Sequence, residues 1–512
     1  MTVEDTLTLV YHEHLYNQRE NRIKEQWKLW DYYSGREDRV LKHLESALEL
    51  TFKADDIEEF QKNYLNITKK IIDALAVIYR EPAQRYFVSE FEKIRNNKKS
   101  EATLTNYYNS KLPVNINAKD RKAQRLGKLF NTSLTQVVFD RSVGRFDYIT
   151  LPSHLYNIET DPENIYRLTK VSYPQFIKNK GKDEEVLVVW TDDKHYYLDA
   201  NSNPLPVGDN KKMINPWGVI PFAKYMEEEH DDYWGNGQTD LVNANEQINF
   251  LLTDLINGGV IMQAWGTPVA INLGLAKQNE KGEITSREVR VGPKHPFVVE
   301  NVTSDKLQPG LKYENANPLI KEVMDVIDWH INKLAKIKGI NSHSILEKVI
   351  DSSGFSKIVD SIEQMELRRD SLESAKMFEQ ERFEITKKIN NTLIDNGESK
   401  KYGLTRIDDK EIFSVDFAEI RLPISPEIQA QVDKFHLDRN IISILDIARR
   451  TNSDLTDDKL EEMIKTNKAI NDRLVPDLAQ VPIDNNINNI TMRGQSQPHK
   501  SVDTQKKADA TQ

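Results

Sequence analysis

The sequence predicts a mixed α+β fold that is predominantly helical. Two observations predict the helices: amphipathic runs at residues 240–256 and 319–338, and a stretch without Gly or Pro at residues 356–396. A third observation predicts strands, because β-branched and aromatic residues gather in short segments from Gln136 onwards. We therefore expect helices and strands to alternate along the chain.

Residues 319–338 have one apolar stripe and one charged face. The apolar side chains recur in steps of three and four, the spacing of a single helix face; they are Ile320, Val323, Ile327, Ile331 and Leu334. Residues 240–256 repeat this pattern, and the segment between the two runs is turn-rich and strand-like. Periodicity alone favours an ordinary helical hairpin in a globular core over a subunit of a ring, and it leaves both interpretations open.

The composition predicts a large folded protein. A chain of 512 residues has room for two to four domains of about 150 residues each. Nineteen Tyr, seventeen Phe and seven Trp argue against general disorder. No window approaches the apolar length of a membrane helix, and the first residues lack a signal-peptide pattern, so we expect no membrane association and synthesis in the cytosol.

Cysteine content and net charge exclude several kinds of chemistry. The chain has no Cys, which rules out disulfides, cysteine zinc sites, iron–sulfur clusters and thiol nucleophiles. A formal net charge of −10 opposes a protein that grips nucleic acid over its whole surface. It does not oppose a channel through which DNA slides.

The first part of the chain, residues 2–97, is predicted to be helical, with one helical run ending at Pro82. Residues 98–111 are polar and predicted to form a loop, and a helix is expected over residues 117–131. The aromatic residues of the first helical region favour core packing over a binding cage; they are Trp27, Trp30, Tyr32 and Tyr33.

Strand patterns begin at Gln136 and include a hairpin whose turn is Asp192-Asp193. His195 follows this turn and is interpreted as a cross-strand residue, because no other ligand lies at metal-binding spacing. Three more short strands are expected within residues 267–317.

The last part of the chain returns to helix. The long helix of residues 356–396 is predicted to stop at Gly397, and a strand pattern follows over residues 411–423. Pro426 opens further helices up to Leu474, with a turn at residues 452–456. The tail beyond Pro482 is predicted to be disordered.

No motif for catalysis or cofactor binding is apparent. The phosphate-binding GxxxxGK[ST] loop is absent, and Gly235 and Gly237 supply only two glycines of a GxGxxG pattern, because Asp240 stands at the third. Adjacent carboxylates such as Asp408-Asp409 are common enough to be explained by solvated loops or helix caps. The sequence therefore predicts no catalytic residue, no metal site and no cofactor.

Three blocks of sequence stand out along the chain, at residues 63–87, 215–258 and 352–370. The middle block is the most specific and contains Ile220-Pro221-Phe222, the Gly235–Gly237 turn and the helix that follows Asp240. In order and spacing these blocks resemble the portal proteins of tailed bacteriophages, particularly the branch typified by a long-tailed Bacillus phage. The resemblance covers most of the chain.

The resemblance implies a homo-oligomeric ring of about twelve copies at one vertex of the capsid. It implies this order of parts: a wing at residues 1–237, a first stem helix at 238–260, a clip at 261–317, a second stem helix at 318–338, a tunnel loop at 339–355, a long wing helix and strand at 356–422, a helical crown at 423–475 and a disordered tail at 476–512.

The DNA channel is expected to be lined by the tunnel loop and the second stem helix. The implied stem residues are Lys333, Lys336 and Lys338. The implied tunnel residues are Asn341, Ser342, His343, Ser344, Ile345, Leu346, Glu347, Lys348, Val349, Ile350, Asp351, Ser352, Ser353 and Gly354.

The resemblance also implies a function without enzymatic activity: the genome is packaged through the ring by a separate terminase motor and is later ejected through it. The expected partners are double-stranded DNA without sequence specificity, the terminase large subunit, the major capsid and scaffolding proteins, and head-completion or adaptor proteins. The expected location is the portal vertex of the virion, after synthesis in the host bacterial cytoplasm. The alternatives are another phage head or neck adaptor, a minor capsid protein or, as a different class, a DNA-acting nuclease.

Overall fold

The structure is a computed structural model. It describes residues 3–474 except 53, 96–97, 180–181, 261–266, 272, 275–276, 279–283, 287–299, 302–309, 315–319, 341–353, 418–425 and 453–456. Among the described residues helix predominates and antiparallel sheets are also present, which confirms the predicted mixture of helix and sheet. The residues fall into two units, Met1–Pro423 and Ile424–Gln512.

Four helices begin the first unit: α1 (Val3–Ser34), α2 (Glu37–Leu48), α3 (Ala54–Glu59) and α4 (Ile67–Leu75). Tyr32 is fully buried in an apolar cluster, which Trp30 and Tyr33 border. The rings of Trp27 and Trp30 lie 4.3 and 5.1 Å from the His154 ring. These contacts confirm core packing for the aromatic residues of α1.

Two predictions for the following segment are wrong. The helical run does not continue to Pro82, because α4 ends at Leu75 and is followed by a 3₁₀ turn (Ile78–Arg80) and by β1 (Gln84–Phe87).

Residues 98–111 are also not a loop, since they include α6 (Thr103–Lys111), which follows the short α5 (Phe91–Arg95). Helix α6 has little apolar periodicity and is held by tertiary contacts. The Glu90 carboxylate accepts hydrogen bonds from the backbone N–H groups of Leu104 and Thr105 at its first turn.

Helix α7 (Ile116–Phe130) confirms the helix expected at residues 117–131. It lies beside a three-stranded antiparallel sheet with the order β3-β2-β9, made of β2 (Thr132–Asp140), β3 (Arg145–Leu151) and β9 (Phe222–Met226). Contact between helix and sheet is close at Gly127, where an added Cβ would lie 2.3 Å from the Tyr225 ring. Glycine is therefore required at this point of the interface.

A five-stranded antiparallel sheet follows in the order β4-β5-β6-β7-β8. Its strands are β4 (Asn157–Asp161), β5 (Asn164–Asn179), β6 (Lys182–Thr191), β7 (His195–Leu198) and β8 (Pro204–Pro206). The predicted hairpin turns at Asp192-Asp193, and His195 pairs with Trp190 across it with ring centroids 3.3 Å apart. Burial lowers the pKa of His195 to about 4. The cross-strand interpretation of His195 is confirmed.

The two amphipathic runs are helices, as predicted. The first is α8 (Thr239–Asp254), which continues as a π-helical turn (Leu255–Val260), and the second is α9 (Ile320–Ile337). Short antiparallel strand pairs are described between them: β10 (Thr267–Ile271) with β15 (Gly310–Glu314), β11 (Leu273–Gly274) with β14 (Glu300–Asn301), and β12 (Lys277–Gln278) with β13 (Ile284–Ser286).

The long helix α10 (Gly354–Asp395) confirms the prediction for residues 356–396. Gly397 ends it with a φ of +79°, and the N–H of Glu398 closes the turn on the Leu393 carbonyl. After α11 (Ser399–Tyr402), β16 (Phe413–Asp416) pairs with β1, and these strands share a core with Phe378 and Phe383 of α10. The rest of the predicted strand, from residue 418, lies outside the described residues.

The second unit contains α12 (Pro426–Asp438), α13 (Ile444–Thr451) and α14 (Asp457–Leu474), as the helical pattern predicts. Ser443 and Asp446 form a reciprocal capping box at the start of α13. The predicted disordered tail lies outside the described residues. Among the helices that the structure describes, none has the length and apolar character needed to cross a membrane.

Candidate functional site

The structure describes only part of the predicted channel site. Residues 341–353 of the predicted tunnel loop lie outside the described residues, and Gly354 is the first residue of α10. Lys333 and Lys336 lie in α9, and Lys338 follows its last residue. The helix pair α8 and α9 is therefore the part of the candidate site that can be described.

Helices α8 and α9 pack against each other and against the N-terminal helices. Their shared apolar cluster contains Leu241, Ile248 and Leu255 from α8 together with Ile327 and Ile331 from α9. The cluster extends to α1, α4 and α7, so α8 lies on a broad helical layer. Burial of these side chains fixes the position of both helices, because apolar area removed from water stabilises the packed state.

Helix α9 has three faces. Its buried face contains Ile327, Ile331 and Leu334. A second stripe has the spacing 326, 329, 337, and it exposes 46% of Val326, 53% of Trp329 and 66% of Ile337. The third face is polar and faces solvent in the isolated chain; its residues are Lys321, Asp325 and Asn332, and Lys336 lies at the border between this face and the stripe, seven residues from Trp329. An exposed apolar stripe of this kind is typical of a surface that another protein surface covers.

The three predicted stem lysines have different surroundings. The Lys338 ammonium lies 2.7 Å from an Asp240 carboxylate oxygen and joins the end of α9 to the start of α8. The Lys333 ammonium lies 4.6 Å from the centroid of the Trp329 ring, a cation–π contact within the exposed apolar stripe. Lys336 lies three residues from Lys333 on the same exposed side of α9, whereas Lys338 is turned toward α8. The structure therefore does not place the three lysines on one surface.

A ladder of polar side chains on α8 was not predicted from the sequence. It consists of Asn245, Asn249, Thr253 and Asn257, each four residues from the next, and it faces the extended segment 61–66. Asn245 and Asn249 are fully buried. Repetition of polar residues at a spacing of four was the available signal, but sequence alone does not distinguish such a ladder from a solvated helix face.

Each member of the ladder bonds to the backbone of the neighbouring segment. The Asn245 side chain accepts from the Thr68 N–H at 3.0 Å and donates to the Leu65 carbonyl at 2.9 Å. Asn249 accepts from the Leu65 N–H at 3.0 Å. Segment 61–66 therefore obtains from α8 the hydrogen bonds that a β-strand would obtain from a neighbouring strand.

The next two rungs continue the ladder toward the end of α8. The Thr253 hydroxyl accepts from the Asn63 N–H at 3.0 Å. Asn257 accepts from the Gln61 N–H at 2.9 Å and donates to the Gln61 carbonyl at 3.0 Å.

A further contact joins α8 to α1. The Glu246 carboxylate lies 2.9 Å from the Lys28 ammonium and accepts a hydrogen bond from the Tyr32 hydroxyl at 3.2 Å. Burial, together with the negative charge of Glu246, raises the pKa of Tyr32 well above its ordinary value. Tyr32 therefore stays neutral and acts as a fixed donor.

A second cluster missed by sequence reasoning is a buried network of two arginines and two carboxylates. It joins Arg85 of β1, Asp120 of α7, and Glu379 and Arg382 of α10, and all four side chains are almost fully inaccessible. Glu379 accepts from Arg85 Nε at 2.9 Å, from Arg382 Nη2 at 2.7 Å and from the Tyr79 hydroxyl at 3.1 Å.

The network has two arginines and two carboxylates, and its role is to join β1, α7 and α10. Burial opposes ionisation of Glu379, but the positive charges of Arg382 and Arg85 outweigh burial and lower its pKa to about 2. Both acceptor oxygens of Glu379 are occupied by these donors, so the carboxylate is not available as an acid or a base. Within the described residues, no group of three or more His, Asp or Glu side chains is arranged to hold a metal ion.

Comparisons with protein-family models and with curated proteins found no match to this chain.

Proposed function

We propose that the chain is the subunit of a ring-shaped DNA channel of the portal type. In this proposal about twelve copies form a ring at one capsid vertex. A separate terminase motor packages double-stranded DNA through the ring, and the DNA later leaves by the same route. The subunit binds and guides DNA and has no enzymatic activity of its own.

The observation that carries the proposal is the division of α9 into three faces. One face is buried against α8, the second is the exposed stripe with Val326, Trp329 and Ile337, and the third is polar. In a ring, every subunit has a neighbour on each side, so an apolar stripe on one side of a helix is covered by the next copy. A half-exposed Trp is also the residue type most enriched in strongly contributing interface positions.

The polar face of α9 suits a channel wall. It combines Lys321 with Asp325 and Asn332, and Lys336 lies at its border, so its charges are mixed in sign. Phosphate contacts from lysine attract DNA without reading its sequence, while carboxylates limit the strength of that attraction. A wall with this composition allows DNA to slide.

We assign the segments of the chain to the parts of a portal subunit. Residues 1–237 and 356–422 form the wing, 238–260 and 318–338 the stem, 261–317 the clip, 339–355 the tunnel loop and 423–475 the crown. The clip contacts the terminase large subunit and later the head-completion or adaptor proteins, and the wing and crown contact the capsid and scaffolding proteins. The protein is then a component of the virion, with no membrane partner.

The role of the apolar stripe is tested by Trp329→Glu, which places a charge in the proposed subunit interface. Asn332→Asp is the matched control, because it adds the same charge to the polar face of the same helix. We expect native mass spectrometry to show rings for the wild type and for Asn332→Asp, and monomers or small oligomers for Trp329→Glu. Truncation at a central interface residue commonly costs about 2 kcal/mol or more per contact, and the loss recurs at every interface of a ring. Intact rings of Trp329→Glu would contradict this assignment.

A further inference from the structure

Segment 61–66 is joined to the end of α8 by hydrogen bonds that the proposed function does not explain. The segment is neither helix nor strand, and its hydrogen bonds alternate along the chain: Gln61, Asn63 and Leu65 bond to α8, and the residues between them do not. We call residues 61–66 the strap.

The spacing of strap and helix explains this alternation. Four residues of an α-helix rise about 6 Å, and two residues of an extended chain span about 6.6 Å. Side chains four apart on α8 therefore meet every second residue of the strap. The two spacings therefore agree along the helix axis. Around the axis they do not, because each four-residue step on α8 rotates the side chain about 40° beyond a full helical turn.

The π-helical turn corrects this rotation at the last rung. On a continuous α-helix, Asn257 would lie about 120° around the axis from Asn245, after three such steps. The turn Leu255–Val260 contains one residue more than an α-turn, so the rotation per residue is smaller there. Asn257 consequently stays above Thr253, where its amide donates to the Thr253 carbonyl at 2.7 Å and still reaches Gln61.

We propose that the strap and the π turn form a two-state latch. In the closed state Asn257 holds Gln61 and the last turn of α8 is π-helical, as described above. In the open state the strap leaves Asn257 and the turn becomes α-helical, which is the more common geometry. The two states differ by one residue of helical register, so the chain leaving α8 at Val260 rotates about the helix axis by about 100°.

The strap is also connected to the N-terminal helices, so movement there can be transmitted to the latch. The Lys62 ammonium lies 2.5 Å from the Glu45 carboxylate of α2. The Phe60 ring, immediately before the strap, packs on Phe52, which in turn contacts Phe250 of α8. A partner that moved α2 or the segment before the strap would therefore change the register at the end of α8. The turn includes Gly258-Gly259, whose backbone freedom permits both geometries.

The test uses Asn257→Ala, which removes both hydrogen bonds to Gln61, with Gln247→Ala as a control at an exposed position of the same helix. Hydrogen exchange of the Gln61 amide reports release of the strap. We expect about five- to tenfold faster exchange in Asn257→Ala and no change in Gln247→Ala. Asn257→Asp keeps the acceptor for the Gln61 N–H and loses the donor, so it should give an intermediate rate.

A second measurement separates a latch from simple loss of a hydrogen bond. The chain has no Cys, so Leu50→Cys and Val260→Cys introduce the only two thiols for spin labels. Electron-paramagnetic-resonance distances are measured with excess unlabelled chain present, so that pairs within one subunit dominate.

A side chain about 5 Å from the helix axis moves about 8 Å in a 100° rotation. We therefore expect Asn257→Ala to shift the distance distribution or add a second peak. Faster exchange of Gln61 with an unchanged distance distribution would overturn the latch, as would unchanged exchange. Neither readout depends on whether the chain forms a ring, so this test can fail separately from the proposed function.

Discussion

Neutralising Glu379 gives the sharpest test of how the first unit is held together. Glu379 accepts hydrogen bonds from Arg85, Arg382 and Tyr79 in a fully buried site. Glu379→Gln keeps the size of the side chain but leaves two guanidinium groups with Asp120 as the one remaining carboxylate of the network. The variant therefore has an uncompensated positive charge that is shielded from water.

The size of the expected loss follows from the burial of these ion pairs. Removing one partner of a buried ion pair generally costs about 3–5 kcal/mol. The direction of the pKa shift agrees, because the positive charges of Arg382 and Arg85 outweigh burial and lower the pKa of Glu379, so the folded state favours the ionised carboxylate. We expect Glu379→Gln to reduce the free energy of unfolding by about 3–5 kcal/mol.

Urea denaturation followed by tryptophan fluorescence measures this loss, and Glu384→Gln is the control. Glu384 lies on the same helix and pairs with Lys387 at 2.7 Å, but at the surface, where an ion pair contributes about 0–1 kcal/mol. The double variant Glu379→Gln with Arg382→Gln restores charge balance, so it should cost less than the sum of the two single variants. A loss below about 1 kcal/mol for Glu379→Gln would show that the buried network does not need its second carboxylate.

The stability lost in Glu379→Gln should also depend on pH. The folded-state pKa of Glu379 is lowered, so its contribution to stability is fully present above about pH 4.5 and is lost as the pH falls toward about 2. The difference in unfolding free energy between wild type and Glu379→Gln should therefore shrink over this range. A difference that stayed constant between pH 5 and pH 2.5 would contradict an ionised, stabilising Glu379.

Two further predictions concern close packing and the polar ladder. Gly127→Ala should lower the unfolding free energy by about 1–3 kcal/mol, because its Cβ would lie 2.3 Å from the Tyr225 ring. The control Ala118→Gly, at the exposed start of α7, should cost about 1 kcal/mol or less. Urea denaturation measures both losses, and an unchanged stability of Gly127→Ala would contradict the tight contact. Asn245→Ala should cost about 2–5 kcal/mol, because the Thr68 N–H and the Leu65 carbonyl lose buried partners. Hydrogen exchange should place that loss in residues 61–68, and unchanged exchange there would contradict it.

Local patterns in the sequence predicted much of the fold. Helices α7, α8, α9 and α10 were expected because their periodicity or freedom from Gly and Pro is visible within one segment. The β6–β7 hairpin was expected because its turn joins neighbouring strands. These elements depend on residues that are close in the chain, which is the information that a single sequence supplies most directly.

Elements that depend on distant partners were missed. Strand β1 has four residues and pairs with β16, more than three hundred residues later, so no nearby pattern marks it. Helix α6 depends on Glu90 for its first turn and was predicted to be a loop. The same limit applies to the Glu379 network and the α8 ladder, because a polar residue in a sequence does not reveal whether it faces water or a buried partner.

In the proposed function, copies of this chain close into a ring around a channel. Native mass spectrometry combined with negative-stain imaging of the purified wild-type protein measures this assembly. We predict closed rings of about twelve subunits with a central hole, because an exposed apolar stripe on α9 is repeated in every copy. A compact globular dimer without a hole, particularly one that cleaves DNA, would contradict the proposal.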